Sequence, residues 1–477
     1  MSKETKTTAK PENRMGTMPV NRLLISMALP IVFSMLVEAL YNILDSVWVS
    51  RIDEQALSAL GIVAPVQNLM IAMGVGTGVG VNALLSRSLG EKNFSLANST
   101  AKNGIFVSLI YTVSFMLFGI FGARPFMALQ TDVSEIIEYG TSYISICCIF
   151  SVGLFAQLIY EKLLQSTGKT KYILLTQGLG AVINMVLDPI MIFGLLGCPA
   201  MGVKGAAISN VIGQIAGGIV AVYVCHRKNE DISLQFSGFR PSAPVLKEIY
   251  KVGLPSIIML SIWSFMLFFL NKVLSAFTYT ATAFMGVYYK IQSFVFMPIF
   301  GITNAVVPIV AYNYGAQSKA RMIQAIRLAI LYASGIMLVG LALFQLFPSQ
   351  ILALFKPSDS MLEIGVAGLR TISISFVLAG YGIVCSSVFQ SLGMGVLSMA
   401  GSISRQLVVL VPAAFLLART GSINNVWWAF PIAEISTLIL VTVFLIRIYR
   451  QKIKPLPDVP PELPPIMDNS SVDVETA

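Results

Sequence analysis

The chain is short of charge. Only 12% of its 477 residues are Asp, Glu, Lys or Arg, about half the share of an ordinary soluble domain, which leaves too few to hydrate the outside of a protein this size. A soluble globular enzyme is excluded on that ground. Histidine is nearly missing as well: His226 stands alone beside Arg227 and Lys228, the setting of a solvated loop residue, so no histidine cluster can hold a catalytic metal. The five cysteines, Cys147, Cys148, Cys198, Cys225 and Cys385, lack metal-ligand spacing and lie mostly in apolar stretches. Neither a metal site nor a disulfide framework is expected. A paired-acid motif of the D-D-x-x-D type is missing too, and with it the usual basis of a membrane-embedded enzyme.

Hydrophobic residues make up 56% of the chain. At about 20 apolar residues per crossing, twelve spans can be drawn, the first near 23–49, the fourth near 138–160 and the last near 425–447. The net charge of +9 would suggest nucleic acid in a soluble protein. Here it reads as topology, because cytoplasmic loops collect Lys and Arg. With the N-terminus inside, only Arg51, Arg124, Lys204, Lys272, Lys356, Arg370 and Arg419 fall outside, Lys290 lies within the bilayer, and the other 24 of the 32 basic residues are cytoplasmic. A multi-pass protein of the plasma membrane with both termini in the cytoplasm is expected. Residues 1–22 are polar and meet the first span without a small-residue cleavage site, so a cleavable signal is not expected. Residues 448–477, rich in Pro and acids, are expected to be a disordered tail.

Adding 225 to residue numbers carries Leu29-Pro30 onto Leu254-Pro255, Gly61 onto Gly286, Gln67 onto Gln292, Gly76 onto Gly301, Gly90 onto Gly315, and the segment QSTG at 165–168 onto QSLG at 390–393. Shared apolar composition does not put Gly, Pro and Gln at matching places in one ungapped register. The fold expected is therefore an all-α integral membrane protein of twelve transmembrane helices, arranged as two six-helix bundles related by a parallel repeat, since six is even and both copies enter from the same side. The bundles take residues 23–225 and 252–447, joined by a cytoplasmic loop at 226–251. A duplicated scaffold without transport is the plain alternative, but buried ionisable groups in such a repeat argue for a carrier.

Among the 23 acids, only Glu38, Asp45, Asp188 and Glu434 fall well inside spans, where each costs roughly 2.5–3.5 kcal/mol to insert. Glu38 and Asp45 are seven apart and share a helix face, as do Asn184 and Asp188, four apart. If the faces converge, two carboxylates and an amide form an oxygen-rich pocket able to share a proton or hold Na⁺. Asp188 precedes Pro189, so it serves either this pocket or a helix bridge at the proline. In the second half Trp263 and Leu270 replace Glu38 and Asp45 in the repeat register. Lys290 and Glu434 are expected to form a charge pair there, and Arg405 lies toward an edge.

The runs LPIVFSMLVEALYNILDSVWVSRI, QSTGKTKYILLTQGLGAVINMVLDPIMIFGLLGCPAMGVKGAAISN and FVFMPIFGITNAVVPIVAYNYGA, with VWWAFPIAE, resemble multidrug and toxic compound extrusion (MATE) transporters over residues 17–450. The N-x-x-x-D-P element followed by G-V-x-G-A-A is the more specific part. The resemblance, nearest the DinF-like branch, implies that Asp45 is the coupling acid with Asn184 and Asp188 beside it, that Tyr143 is the fourth-helix tyrosine, and that Pro30 marks a first-helix kink. Where the family often has a threonine in GAAxAT, this chain has Asn210. Gln67, Gln292, Trp263 and Lys290 join Tyr143 as expected substrate-cavity residues, and Glu38, Asp45, Asn184, Asp188 and Asn210 as expected ion-coupling residues.

The resemblance implies an antiporter, not an enzyme, that exports amphipathic and often cationic compounds in exchange for H⁺ or Na⁺ by rocking of two lobes. Ionised Asp45 would retain a lipophilic cation among aromatic and Met side chains, and a proton taken from outside would release it. No cofactor beyond the coupling ion, no nucleic acid and no partner besides the substrate and the lipid bilayer are expected, and the protein is expected to be a monomer. The alternative is a flippase for lipid-linked sugars, which needs basic groups to hold pyrophosphate; Lys290 and Arg405 are the available ones.

Overall fold

The computed structural model describes residues 13–457. Helices dominate because unsatisfied backbone groups are untenable in hydrocarbon. Ten are long and apolar enough to cross a membrane: α1 (Val20–Ser50), α2 (Glu54–Gly90), α3 (Phe94–Phe121), α5 (Lys171–Phe193), α6 (Val203–Lys228), α7 (Ala243–Ser275), α8 (Tyr279–Gly315), α9 (Lys319–Leu346), α11 (Gly395–Ala418) and α12 (Ile423–Ile453). Two bent pairs complete twelve. They are α4, Ser134–Ile149 with Val152–Ser166 at 48°, and α10, Asp359–Ser373 with Phe376–Ser391 at 50°.

The backbone repeats at the register found in the residues. The bounds of α2 and α8 differ by 225 at both ends, as do those of α3 and α9. Left-handed backbone recurs as well, at Lys92 and Gln317 and at Gly168 and Gly393. The two glycines end α4 and α10 in the QSTG and QSLG segments, where a residue without Cβ closes the helix at no steric cost. In the first bundle α5 packs on α6 and α1; in the second α8, α9 and α10 pack together.

Polar helix ends extend past the expected spans, which shifts several boundaries. The loop joining the bundles narrows from 226–251 to 229–242, because α7 already begins at Ala243. A short turn at Arg14–Thr17 precedes α1, and the expected tail is helical to Ile453 before the described residues end at 457. The remainder of that tail, 458–477, and residues 1–12 lie outside the described residues.

The bundles meet toward the face that holds the chain ends. There α2 packs on α7 and α8, and α8 on α1. A Cβ on Gly80 would stand 2.1 Å from Ile249 O, and one on Gly90 1.9 Å from Tyr312 O, so only glycine permits these crossings. Arg321 ties α9 to the N-terminal segment through the carbonyls of Met15 (2.9 Å) and Met18 (2.7 Å). Among the described residues, no side-chain hydrogen bond joins the bundles in the opposite half, where Leu40, Leu57 and Tyr279 are exposed. The contacts between the bundles are thus concentrated toward the terminal face.

Candidate functional site

The fifth span carries the deepest polar groups. Asn184 is 3% exposed and Asp188 1%, one turn apart on α5. Asn184 Nδ2 donates to Asp188 Oδ1 at 3.3 Å, and the Ser209 hydroxyl of α6 donates to the same oxygen. Asp188 thus bridges two helices with one oxygen and leaves Oδ2 without a partner; Asn184 Oδ1 lacks one as well. Asp45, on α1 packed against α5, has a buried Oδ1 that also lacks a hydrogen-bond partner. The Asp45 and Asp188 carboxylates lie within range of each other's charge. Two adjoining helices thus carry three acceptor oxygens without partners, the kind of group that a proton or a hard cation satisfies.

Tyr143 of α4, 1% exposed, closes one side. Its hydroxyl accepts from Gln67 Nε2 at 3.4 Å and from Asn210 Nδ2 at 3.5 Å, and Asn210 Oδ1 accepts from Gln214 Nε2 at 2.8 Å. The hydroxyl that reaches Asp188 therefore comes from Ser209, one residue before the expected Asn210. Glu38 is exposed and shares no hydrogen bond with the cluster; Tyr41, between it and Asp45 on α1, stands within range of Glu38, Asp45 and Asp188. Pro30 sits inside α1, close to where Ala28 and Val32 meet Gly301 of α8.

In the second bundle the expected Lys290 to Glu434 pair does not form. Arg405 Nη1 meets Glu434 Oε1 at 3.1 Å instead. Arg405 lies in a π-helical stretch of α11, Ser404–Leu410, that packs on α12, whereas Lys290 is exposed on α8. With Arg405 engaged, one of the two basic groups available to hold a pyrophosphate is gone. Trp263 packs edge-on against Tyr289, 4.9 Å between ring centres, and Gln292 is half-buried.

Glu161 and Lys162 were not expected inside a span, because the apolar run stops at Tyr160. Their helix continues to Ser166. Glu161, 5% exposed, accepts from Thr176 (2.7 Å), Gln177 (2.9 Å) and Gln157 (3.0 Å). Lys162 Nζ donates to Gln165 Oε1 and, across the bundles, to Asn304 Oδ1, both at 2.9 Å. The readable signal was the pair of amides at 157 and 165, at helical spacing around the charged pair, with a third at 177 on the next helix.

A family profile described as MatE matches residues 30–190 and again 255–416, two stretches whose starts are 225 apart. The chain belongs to the MatE family. Relatives of this MatE chain include the multidrug export protein MepA of Staphylococcus haemolyticus, 24% identical over 87% of the chain and 90% of the relative. MepA of Staphylococcus saprophyticus is 25% identical over 88% and 92%. Among solved structures, an outward-facing conformation of a multidrug resistance MATE family transporter superposes with a TM-score of 0.87 at 25% identity, covering 94% of this chain and 99% of that one. A transporter from Pyrococcus furiosus gives 0.86 at 26%, with the same coverage. The twelve-helix, two-bundle fold is that of MATE transporters.

Proposed function

We propose that this MatE protein is a multidrug efflux antiporter of the plasma membrane, exporting amphipathic and often cationic compounds in exchange for H⁺ or Na⁺ as its two bundles rock. The observation that carries the reading is the set of unpaired buried oxygens on Asp45, Asn184 and Asp188. A buried carboxylate without a partner is costly, so this site demands an occupant: a proton, Na⁺ or the basic nitrogen of a drug. Competition among these couples entry of the ion to release of the cargo. With both termini cytoplasmic, the face at which the bundles pack tightly is the cytoplasmic one, so the rocking motion would admit the ion from the opposite side.

Proteoliposomes loaded with a fluorescent lipophilic cation, given a pH gradient or a Na⁺ gradient one at a time, test this. Transport under at least one gradient, and its collapse by the matching ionophore, is the expected result. Indifference to both gradients would overturn the proposal.

A further inference from the structure

A groove of about 510 Å³ runs where the second half of α4 packs on α6. Val152, Gly153 and Ala156 line it on α4, and Ile219, Val222 and Tyr223 on α6, with His226 at its end. Ile219 is nine residues from Asn210, two and a half turns at 3.6 residues per turn, which puts the groove on the side of α6 away from the ion-site cluster. It therefore faces lipid. Small residues set its depth: a Cβ on Gly218 would stand 2.9 Å from Gly153 O, so the two backbones nearly touch along the floor. The rim is raised, with Ile219 64% and Tyr223 62% exposed.

Ile215, at the far end of the groove on α6, and His226 are eleven residues apart, about 16 Å along the helix and half of the roughly 30 Å hydrocarbon core. The groove has the depth of one leaflet. That leaflet is the one on the terminal side, because Asp231, just past α6, pairs with Lys169 at 3.4 Å and accepts from Asn13 at 3.0 Å. Its walls are apolar until the last turn of α6, where His226, Arg227 and Lys228 follow one another. His226 is anchored there: Nδ1 hydrogen-bonds the Val222 carbonyl at 2.9 Å, and the ring stacks on Tyr160 of α4 with 5.9 Å between centres. Arg227 is exposed, one turn beyond Tyr223 on the same face. Among the described residues it has no ion pair, and Asp231 is taken by Lys169.

We propose that the groove is a binding site for one anionic phospholipid of that leaflet, with an acyl chain lying between α4 and α6 and the phosphate seated at His226 and Arg227. Water finds no hydrogen-bond partners along such walls. An acyl chain set between the recessed glycines and the raised Ile219 and Tyr223 gains contacts on both flanks that a flat helix surface does not offer. Any membrane lipid can supply the acyl chain; the basic turn selects the headgroup, as basic pockets at a membrane surface do. The bound lipid is part of the carrier's wall and not of its cargo path, since α6 stands between the groove and Asn210.

Native mass spectrometry of the full chain in mixed micelles tests this, with phosphatidylglycerol and phosphatidylcholine of identical acyl chains as probes. One phosphatidylglycerol should stay bound when detergent has stripped the rest, and should half-saturate at roughly fivefold lower concentration than phosphatidylcholine. His226→Gln combined with Arg227→Gln should bring the two lipids level while one molecule still binds. Ala156→Leu fills the groove and should remove the retained molecule of either kind. Val152→Phe, at a lipid-facing position that is 45% exposed, should do the same without disturbing the core. Equal retention of the two lipids by the unaltered chain, or undiminished retention in both groove-filling variants, would overturn the proposal. So would displacement of the lipid by glycerol phosphate, which has the headgroup without the acyl chain, or by a lipophilic cation, which has the opposite charge.

Discussion

Ser209 of α6 donates its hydroxyl to Oδ1 of Asp188 on α5, and this bond sets which oxygen of the carboxylate remains open. With Oδ1 occupied by Ser209 and Asn184, Oδ2 is the atom left to face an ion. Ser209→Ala removes a hydrogen bond to a carboxylate, worth about 1.5–3 kcal/mol. It should lower thermal stability and weaken ion-driven efflux together, with Ser209→Thr retaining both. Asn210→Ala touches Tyr143 and Gln214 rather than Asp188, so its effect on ion coupling should be smaller. Equal losses in the two alanine variants, measured as the ion concentration for half-maximal efflux, would count against the assignment of the bridge.

Asp45→Asn should abolish gradient-driven efflux without loss of protein from the membrane. The amide keeps the shape and the polarity of the side chain but neither binds a proton reversibly nor carries the charge that attracts a cation. Because Asp45 Oδ1 has no partner, the substitution breaks no hydrogen bond at that atom, and the folded yield should stay near that of the unaltered chain. Drug resistance of cells expressing the variant, set against its membrane level, is the measurement. Full resistance would remove Asp45 from the mechanism.

Much of the fold and the site was legible in the residues, and the misses share a cause. The 225-residue register is visible because Gly90 and Gly315 stand where a Cβ would strike backbone, and Gly168 and Gly393 hold a left-handed conformation that favours glycine. Asp45, Asn184 and Asp188 stood out because lone polar groups in apolar runs need a reason to be there. Glu161 and Lys162 were hidden because two adjacent charges look like the end of a span; neighbours on α5 and α8, together with Gln157 and Gln165 of their own helix, satisfy them. The partner of Glu434 was misread for a related reason. Both Lys290 and Arg405 had the right sign, and the choice depended on which helix α12 packs against, which pattern alone does not tell.

The Arg405 and Glu434 pair should be a stability element. Both side chains are largely withdrawn from solvent, 23% and 12% exposed, so removing one strands the other in low dielectric, at a cost of about 3–5 kcal/mol for a fully buried pair and less here. Arg405→Leu or Glu434→Leu alone should lower the melting temperature in detergent by several degrees. The double variant, which leaves no unpaired charge, should recover most of the loss. Lys290→Leu should leave the melting temperature nearly unchanged. A double variant as unstable as the worse single one would show that the pair is not what holds α11 to α12.

The glycine crossings decide which face of the carrier can close. At Gly90 an added methyl would stand 1.9 Å from Tyr312 O, and at Gly80 2.1 Å from Ile249 O. In both cases the obstacle is backbone, which cannot swing aside as a side chain can. Overpacking of this kind costs typically about 1–3 kcal/mol, and here the penalty applies only while α2 lies against α7 and α8. Gly90→Ala and Gly80→Ala should therefore shift the equilibrium away from the state closed at the terminal face by roughly 5- to 150-fold. The fold itself is spared, because the alanine favours the helix in which it sits. Gly61→Ala, on the same helix with open space around its Cβ position, should shift nothing. Spin-label distances across the terminal face, between the α4–α5 turn and the α8–α9 turn, would lengthen in the first two variants and stay fixed in the third. If Gly90→Ala leaves that distance distribution untouched, the crossing is not a determinant of closure, and the hydrogen bonds of Lys162 and Arg321 across the same face would have to hold it alone.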